Sequence, residues 1–360
     1  MENIETEVVE KVENQVYKCP GCGANLKFDP ESSSMTCEYC DYSLHIEGEE
    51  SDKEIDFNEE QLPLWNDEAK MVRCKNCGAQ NIIDTKTLST ICPFCGSSSA
   101  IVDDEIKGLK PNRVIPFKIS ANDSVEVYRT WIKKKLFAPK KLKKAIPNPN
   151  INGTYIPSWT YDTTTFTKYS GRLGKYYTVV VGSGKNRRTV TRIRWYSIKG
   201  VHQSAFDDIL VCSSRKIDQN SLERLSPYNT NDSFEYDNRF LVGFSAEHYS
   251  MDVKSGFNRA CTIADTRIKQ QILSKYHYDV VGNFSMKTTH DKITYKYVLL
   301  PLWICFFKYV NKQYEFKVNG ENGKIIGKYP ISVPKVVITV LLSLLIIIAV
   351  LVLIGFIYGG

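Results

Sequence analysis

Hydrophobic residues fall along this chain in three patterns. The first is a continuous run near the C-terminal end: "VVITVLLSLLIIIAVLVLIGFIY", Val336 to Tyr358, has 23 residues without a charge. At ~1.5 Å per residue such a run covers a hydrocarbon core of ~30 Å, so one transmembrane helix is predicted over 334–358. The second pattern is helical. From Asp252 to Lys275, the positions Val253, Phe257, Ala260, Ala264, Ile268 and Ile272 recur every three or four residues and predict the longest soluble helix. "SANDSVEVYRTWIKKKLF" predicts another, with a polar start at Ser120 or Asn122, and a short helix follows Pro139.

The third pattern is strand-like. "VIPFKIS", Val114 to Ser120, reads as a short strand, and "YYTVVVGSGKNRRTVTRIRWYSIKG" as two strands joined by a glycine-containing loop. Its "GSGK" lacks the four-residue gap and the Ser or Thr of a phosphate loop, so the hairpin is expected. "ITYKYVLLPLWICFFKYVNKQYEFKVNGENGKIIGKYP" predicts three strands with turns at Asn311 and at "NGENG". "YIPSWTYD" and "LLPLWICF" both place Pro two residues before Trp, and each is expected as an edge strand of a duplicated or pseudo-symmetric β module. The fold class is therefore α+β, β-rich, over residues 111–330.

Cysteine placement changes the picture at the N-terminus. Eight of the eleven cysteines form four Cys-x-x-Cys pairs. Cys19, Cys22, Cys37 and Cys40 are matched by Cys74, Cys77, Cys92 and Cys95, with fourteen residues inside each set. Four thiolates close a tetrahedral zinc site without an open position, so two zinc ions are expected, one in each of two zinc ribbons over 15–45 and 71–104. Iron in a rubredoxin-like site is the competitor, disfavoured by the short gap. Gly23, Gly78 and Gly96 follow the second Cys of a pair, where a tight turn calls for positive φ. "ANLKFDPESSSMT" reads as a short hairpin returning the second pair to the first. Below ~40 residues a metal is usually needed for folding. Cys212, Cys261 and Cys305 stand alone and are expected as small core residues. The opening "MENIETEVVEKVENQ" is acidic and has no apolar run, so no secretory leader is expected, and metal rather than disulfide is the default for the cysteines.

Charge separates the chain into two parts. Residues 1–110 hold 10 Lys and Arg against 23 Asp and Glu, a balance of −13, while the remainder holds 37 against 17, or +20. Residues 46–70 are expected as an acidic linker with short ordered pieces, and His45 as a surface residue beside a complete ligand set. An acidic setting argues against duplex binding by the ribbons, since phosphate contacts need Lys and Arg, and it favours a protein partner. "WIKKKLFAPKKLKK", Trp131 to Lys144, gathers seven lysines around apolar side chains. It suits either a solvated helix face or an anionic inner leaflet. Lys324, Lys328 and Lys335 just before the apolar run put the N-terminal bulk in the cytoplasm, as a single-pass cell-membrane protein. Only Gly359 and Gly360 follow the run, which suggests a tail anchor inserted after translation. The five histidines (His45, His202, His248, His277, His290) are scattered, and no nucleophile motif is present, so an enzyme is not expected.

"LFAPKKLKK", "NGTYIPSWTYD", "LVGFSAEHYSMDVKSGF", "LLPLWICFFKY" and "VNGENGKIIGKYPIS" resemble a bacterial family of membrane-anchored zinc-ribbon proteins over roughly residues 15–335. Its members are often labelled transcription-factor-IIB-type zinc ribbon proteins or relatives of the primosomal helicase, though this chain has no helicase motor. Some similar proteins are encoded beside phage-shock-type envelope stress proteins. The resemblance implies a membrane anchor that recruits soluble partners, a protein-docking scaffold in envelope stress or membrane maintenance. The alternative is a nucleic-acid-associated regulator using the basic middle domain. Ser158 departs from the family's pattern, in which an aromatic often follows this Pro, and a single span does not suit any role built on several.

Overall fold

The computed structural model describes residues 17–46, 54–58, 64–65, 69–84, 92–95, 97, 100–103, 108–144 and 150–358. The acidic opening segment, Lys86 and Gly96 lie outside them. The first Cys-rich segment forms a three-stranded antiparallel sheet of β1 (Lys27–Asp29), β2 (Ser34–Thr36) and β3 (Ser43–His45), with β1 and β2 making the expected hairpin. β4 (Ile55–Asp56) belongs to the segment expected as linker, yet it pairs with a central strand, and Ile55 and Trp65 are both buried. The second Cys-rich segment contributes β5 (Ala69–Cys74), β6 (Gln80–Asp84) and β7 (Ala100–Asp103).

The middle region begins with β8 (Arg113–Val114), which overlaps the strand predicted over Val114 to Ser120 only at Val114, and α1 (Ala121–Lys133), capped by Ser120 accepting from Asp123 N. α2 (Lys140–Lys144) follows Pro139. Next comes a hairpin of unusual length, β9 (Asn150–Val181) and β10 (Arg188–Cys212), turning at the predicted "GSGK" loop. After α3 (Gln219–Leu225), β11 (Phe234–Glu235) and β12 (Ser245–Glu247), Asp252 caps α4 (Val253–Leu273), which buries the predicted Ala260, Ala264, Ile268 and Ile272. β13 (Val280–Tyr309), β14 (Lys312–Asn319) and β15 (Ile325–Gly327) complete the sheet, and α5 (Val333–Tyr358) ends the described chain.

β9 and β13 run antiparallel through the centre of a twelve-stranded sheet, which reaches the second Cys-rich segment through β12 and β6. One face packs on α1 and α4 around Trp159, Tyr161, Tyr297 and Phe316. The other packs on α3 through Ile156, Leu222, Leu225, Leu300 and Ile304. Burial on both faces explains why "YVLLPLWICFF" is apolar without alternation.

The Pro-x-Trp echo proves to be a local two-fold. Pro157 faces Leu299 and Pro301 faces Tyr155 in the same ladder. Trp159 pairs with Val211 of β10 and Trp303 with Val318 of β14. Trp159 Nε1 donates to Met251 O (2.9 Å), one residue before the cap of α4, and Trp303 Nε1 donates to Ile119 O (2.8 Å), one residue before the cap of α1. β12 lies parallel to β9 at Thr154 and Tyr155, as β8 lies parallel to β13 at Val298 and Leu299. Two β-α-β-β units thus face each other, each long strand pinning the other unit's helix. The edge-strand expectation is wrong, since β9 and β13 are interior. The prolines are tolerated because the outer ladders stop beside them. Pro157 O accepts from Ser213 N just beyond β10, and Pro301 O from Gly320 N just beyond β14, so no ladder N–H is required there.

Candidate metal centres

All four Cys-x-x-Cys segments fold into the same turn. The N–H of the first Cys donates to the carbonyl five residues on: Cys19 to Ala24 (2.7 Å), Cys37 to Tyr42 (2.8 Å), Cys74 to Ala79 (2.9 Å) and Cys92 to Ser97 (2.8 Å). Closing it takes a residue at positive φ after the second Cys, and Gly23 (73°) and Gly78 (70°) supply it as predicted. In the second turn the sequence offers Asp41 instead, at 57°, a residue type that tolerates this region.

The turns bring the eight cysteines together as two sets. Cys19 Sγ lies 3.3 Å from Cys40 Sγ and Cys22 Sγ 3.4 Å from Cys37 Sγ. The corresponding pairs Cys74–Cys95 and Cys77–Cys92 are both 3.6 Å apart. Within each set all four sulfurs lie within 4.8 Å of one another. A tetrahedron with ~2.3 Å metal–sulfur bonds has edges of ~3.8 Å, whereas a disulfide needs ~2.05 Å. The sets therefore fit a metal ion each, and all eight thiols are free.

Backbone N–H groups prepare the sulfurs for negative charge. The Tyr39 N–H, assisted by that of Cys40, draws the Cys37 thiol down to about 7. Burial pushes Cys74 up, but N–H bonds from Cys77 and Asn76 outweigh it and bring that thiol to about 7 as well. Cys40 receives the Tyr42 N–H, yet the Cys19 and Cys22 sulfurs and burial hold it at about 12. Thiols that compete for one charge are a set that a cation relieves. His45 is exposed, its Nδ1 3.3 Å from Ser34 Oγ, and it joins neither set.

The two sets are held differently. The first packs on the body through Phe28, which meets the rings of Phe240 and Phe244. The second is stitched into the central sheet by β6–β12 pairing, by His248 N donating to Gln80 O (3.0 Å) and by Lys216 Nζ donating to Cys77 O. Of the lone cysteines, Cys212 and Cys305 are buried, whereas Cys261 on α4 is half-buried.

A third cluster escaped the sequence reading. Lys296 is fully buried in β13, its Nζ 3.0 Å from Asp208 Oδ1 and 3.3 Å from Glu54 Oε1. Asp162 stands beside them, accepting from Asp208 N (2.8 Å), and Thr294 Oγ1 donates to Glu54. Burial, then the contact with Glu54, raises the Asp162 carboxyl to about 8. The cation these carboxylates hold is the Lys296 ammonium. The signal available in the sequence was a lysine inside an apolar run, flanked by Tyr295 and Tyr297.

α5 is apolar throughout its membrane-length part. Val333–Ile354, 22 residues, has a mean hydropathy of 3.5 in its most apolar window, and none of that window is buried against the protein. Its start is fixed to the α1–α2 connection by Ser332 N donating to Phe137 O (2.8 Å) and Lys335 Nζ donating to Ala138 O (2.6 Å). Among the described residues this is the one helix long and apolar enough to cross a membrane.

Fold and sites together define an α+β protein with two four-cysteine modules, each with the geometry to hold a metal ion, and a membrane-length C-terminal helix. No protein-family model matches the chain, and no solved structure matches it. It is 32% identical over 335 residues to the uncharacterized protein YdjG of Bacillus subtilis (strain 168), which covers 89% of this chain and 91% of that protein. The chain belongs to the family of that protein.

Proposed function

We propose that this protein is a membrane-anchored docking scaffold whose two four-cysteine modules hold zinc and present surfaces to protein partners. The observation that carries the reading is α5, an exposed apolar helix leaving a body that is complete without it. An exposed apolar surface of that size is stable in lipid rather than in water. Zinc is favoured over other metals because four thiolates in a closed tetrahedral set suit it and leave no position for a substrate. The lysines before α5 support a cytoplasmic body, where thiols stay reduced. There α2 and its neighbours, with Lys140, Lys141, Lys143 and Lys144 beside the start of α5, meet the anionic headgroups. The acidic balance of residues 1–110 directs the modules toward protein rather than nucleic acid. A role in envelope stress or membrane maintenance follows from the family resemblance.

Affinity capture of the full chain from its native membrane tests this, with Cys19, Cys22, Cys37 and Cys40 all changed to Ser as the control. Partners retained by the native chain and lost by the variant are the expected result. Identical partner sets, or extraction of the native chain by salt without detergent, would overturn the reading.

A further inference from the structure

The part of the β9–β10 hairpin that extends past the body is unlike the rest of the molecule. From Thr163 to Phe206 the chain has nine Lys and Arg and no Asp or Glu. β9 alternates cleanly here. Tyr161 donates to Val253 O, Tyr169 meets Tyr276, and Leu173 packs on Leu273, so the odd positions face α4 and its C-terminal turn. The even positions and their cross-strand partners form the opposite face, which no helix covers among the described residues.

That open face carries Phe166, Tyr176, Val180, Ile193, Trp195 and Val201, all exposed, Tyr176, Val180 and Val201 by more than half (54%, 58% and 53%). Lys168, Arg172 and Lys199 stand among them, and Lys287 of β13 pairs with Lys168. Two acids border it: Asp291 on β13, opposite Thr164 at the base, and Asp279 just before β13, which accepts from Tyr176 N (2.7 Å) at the edge of β9. Trp195 covers Gly282, where a Cβ would come within 2.7 Å of its ring, and Arg172 sits 5.5 Å above that ring.

We propose that this open face is a lipid-binding surface that lies against an anionic bilayer, a membrane contact separate from α5. The proposal rests on the membrane reading above for the presence of a bilayer. A flat sheet face mixing Trp and Tyr, aliphatic side chains and cations matches the headgroup layer, where amphipathic rings and snorkelling cations are stable and anionic lipid attracts the charge. Single-stranded nucleic acid would need free ring faces for base stacking. Here Arg172 covers Trp195, and Lys168 lies 6.0 Å over Phe166. A second copy of the chain would bring like charges face to face. Attachment through α5 makes the arm's contact intramolecular, which raises its effective concentration at the same bilayer.

The test uses the full chain reconstituted into vesicles, with an environment-sensitive fluorescent unnatural amino acid at position 180 and, in a separate preparation, at position 345 of α5. Position 345 reports the anchor and position 180 the arm. The expected result is a blue shift at 180 in vesicles containing phosphatidylglycerol, absent in pure phosphatidylcholine and lost on raising salt or in K168Q/R172Q/K199Q. An apolar signal at 345 with an unchanged one at 180 overturns the arm proposal and leaves the anchor standing. An aqueous signal at 345 overturns the anchor, and the proposal built on it falls too. A shift at 180 that is equal in both lipids, or that arises only with added DNA or polyglutamate, also overturns the proposal. Varying the lipid needs no variant, so a folding defect in the triple substitution does not decide the outcome.

Discussion

Lys296→Met is the sharpest probe of the core. Met preserves the length and apolar stem of a side chain that is fully buried, so packing changes little, but the ammonium between Asp208 and Glu54 disappears. At contact distances and an effective dielectric of ~20, each pair is worth ~5 kcal/mol of attraction. Much of that is offset by taking the ammonium out of water, so the pair is weak evidence of net stabilisation. Its removal is a different matter. Two carboxylates with side chains only 19% and 10% exposed are left adjacent and uncompensated, and breaking such a buried pair typically costs ~3–5 kcal/mol. At about 2–3 °C per kcal/mol for a chain of this size, the midpoint should fall by roughly 6–15 °C. Thermal unfolding of the full chain in detergent, followed by tryptophan emission, measures it. Asp208→Asn added to Lys296→Met should recover part of the loss, because it removes one stranded charge. A single variant melting within ~2 °C of the native protein, or a double variant weaker than the single, would refute the charge-balance account.

Four further outcomes follow from the same structure. Asp162 has a carboxyl raised to about 8, above its unfolded value, so its contribution to stability is full in acid and is lost as pH rises toward 8. Asp162→Asn should therefore flatten the fall in stability between about pH 4 and 8, by ~1–2 kcal/mol once screening of a half-buried group is allowed for, and thermal midpoints across that range would read it. Trp159→Phe and Trp303→Phe each delete one indole donor to the residue before a helix cap, and should cost a similar ~1 kcal/mol or somewhat more, measured by denaturant unfolding; grossly unequal costs would contradict the two-fold. Native mass spectrometry should find two zinc ions per chain. Cys74→Ser should raise hydrogen exchange in β12 and β9, to which that module is stitched, whereas exchange in Cys19→Ser should rise only in residues 17–46.

The sequence carried the grouping of the eight cysteines into two sets, the start of α1 at Ser120, the whole of α4 and the apolar α5, because each depends on local spacing. It did not carry the lengths of β9 and β13. Along β9 the face toward α4 presents Thr163, Thr165 and Thr167, all buried, so the expected apolar alternation is missing. Thr165 donates instead to Ser204 O (2.8 Å), and Thr167 to Thr288, which in turn reaches Asp265 on α4. Buried hydroxyls with partners replace apolar side chains there, and a hydropathy pattern cannot register them. The Lys296 cluster was hidden for another reason. Its members come from β9, β10, β13 and the residue just before β4, and only the sheet brings them together.

The two-fold also shows where the halves have been put to different use. Both units supply a short strand, a capped helix, a Pro-x-Trp strand and a returning strand, and both returning strands bring Val opposite the Trp. In the second unit the return is short: β14 has 8 residues and leads through β15 directly to α5. In the first the hairpin continues outward, with 32 residues in β9 and 25 in β10, paired over ~80 Å at ~3.3 Å per residue. Burial maintains only the inner face of this extension, where Leu173 and Ile198 pack on Leu273; among the described residues no helix covers the outer face, which keeps large apolar side chains exposed. The shared body closes its core on its own residues: the Trp159 and Trp303 anchors, and the aliphatic cluster of Ile156, Leu222, Leu300 and Ile304 on the other face, lie inside it. One hairpin has become the lead into a membrane-length helix and the other a basic, aromatic arm. Each is an outward-facing departure from the core, so deleting the arm beyond its last contacts with β13 and α4, between Tyr177 and Arg192, should leave the thermal midpoint of the body nearly unchanged. A collapse of the body on that deletion would show that the arm is part of the core after all.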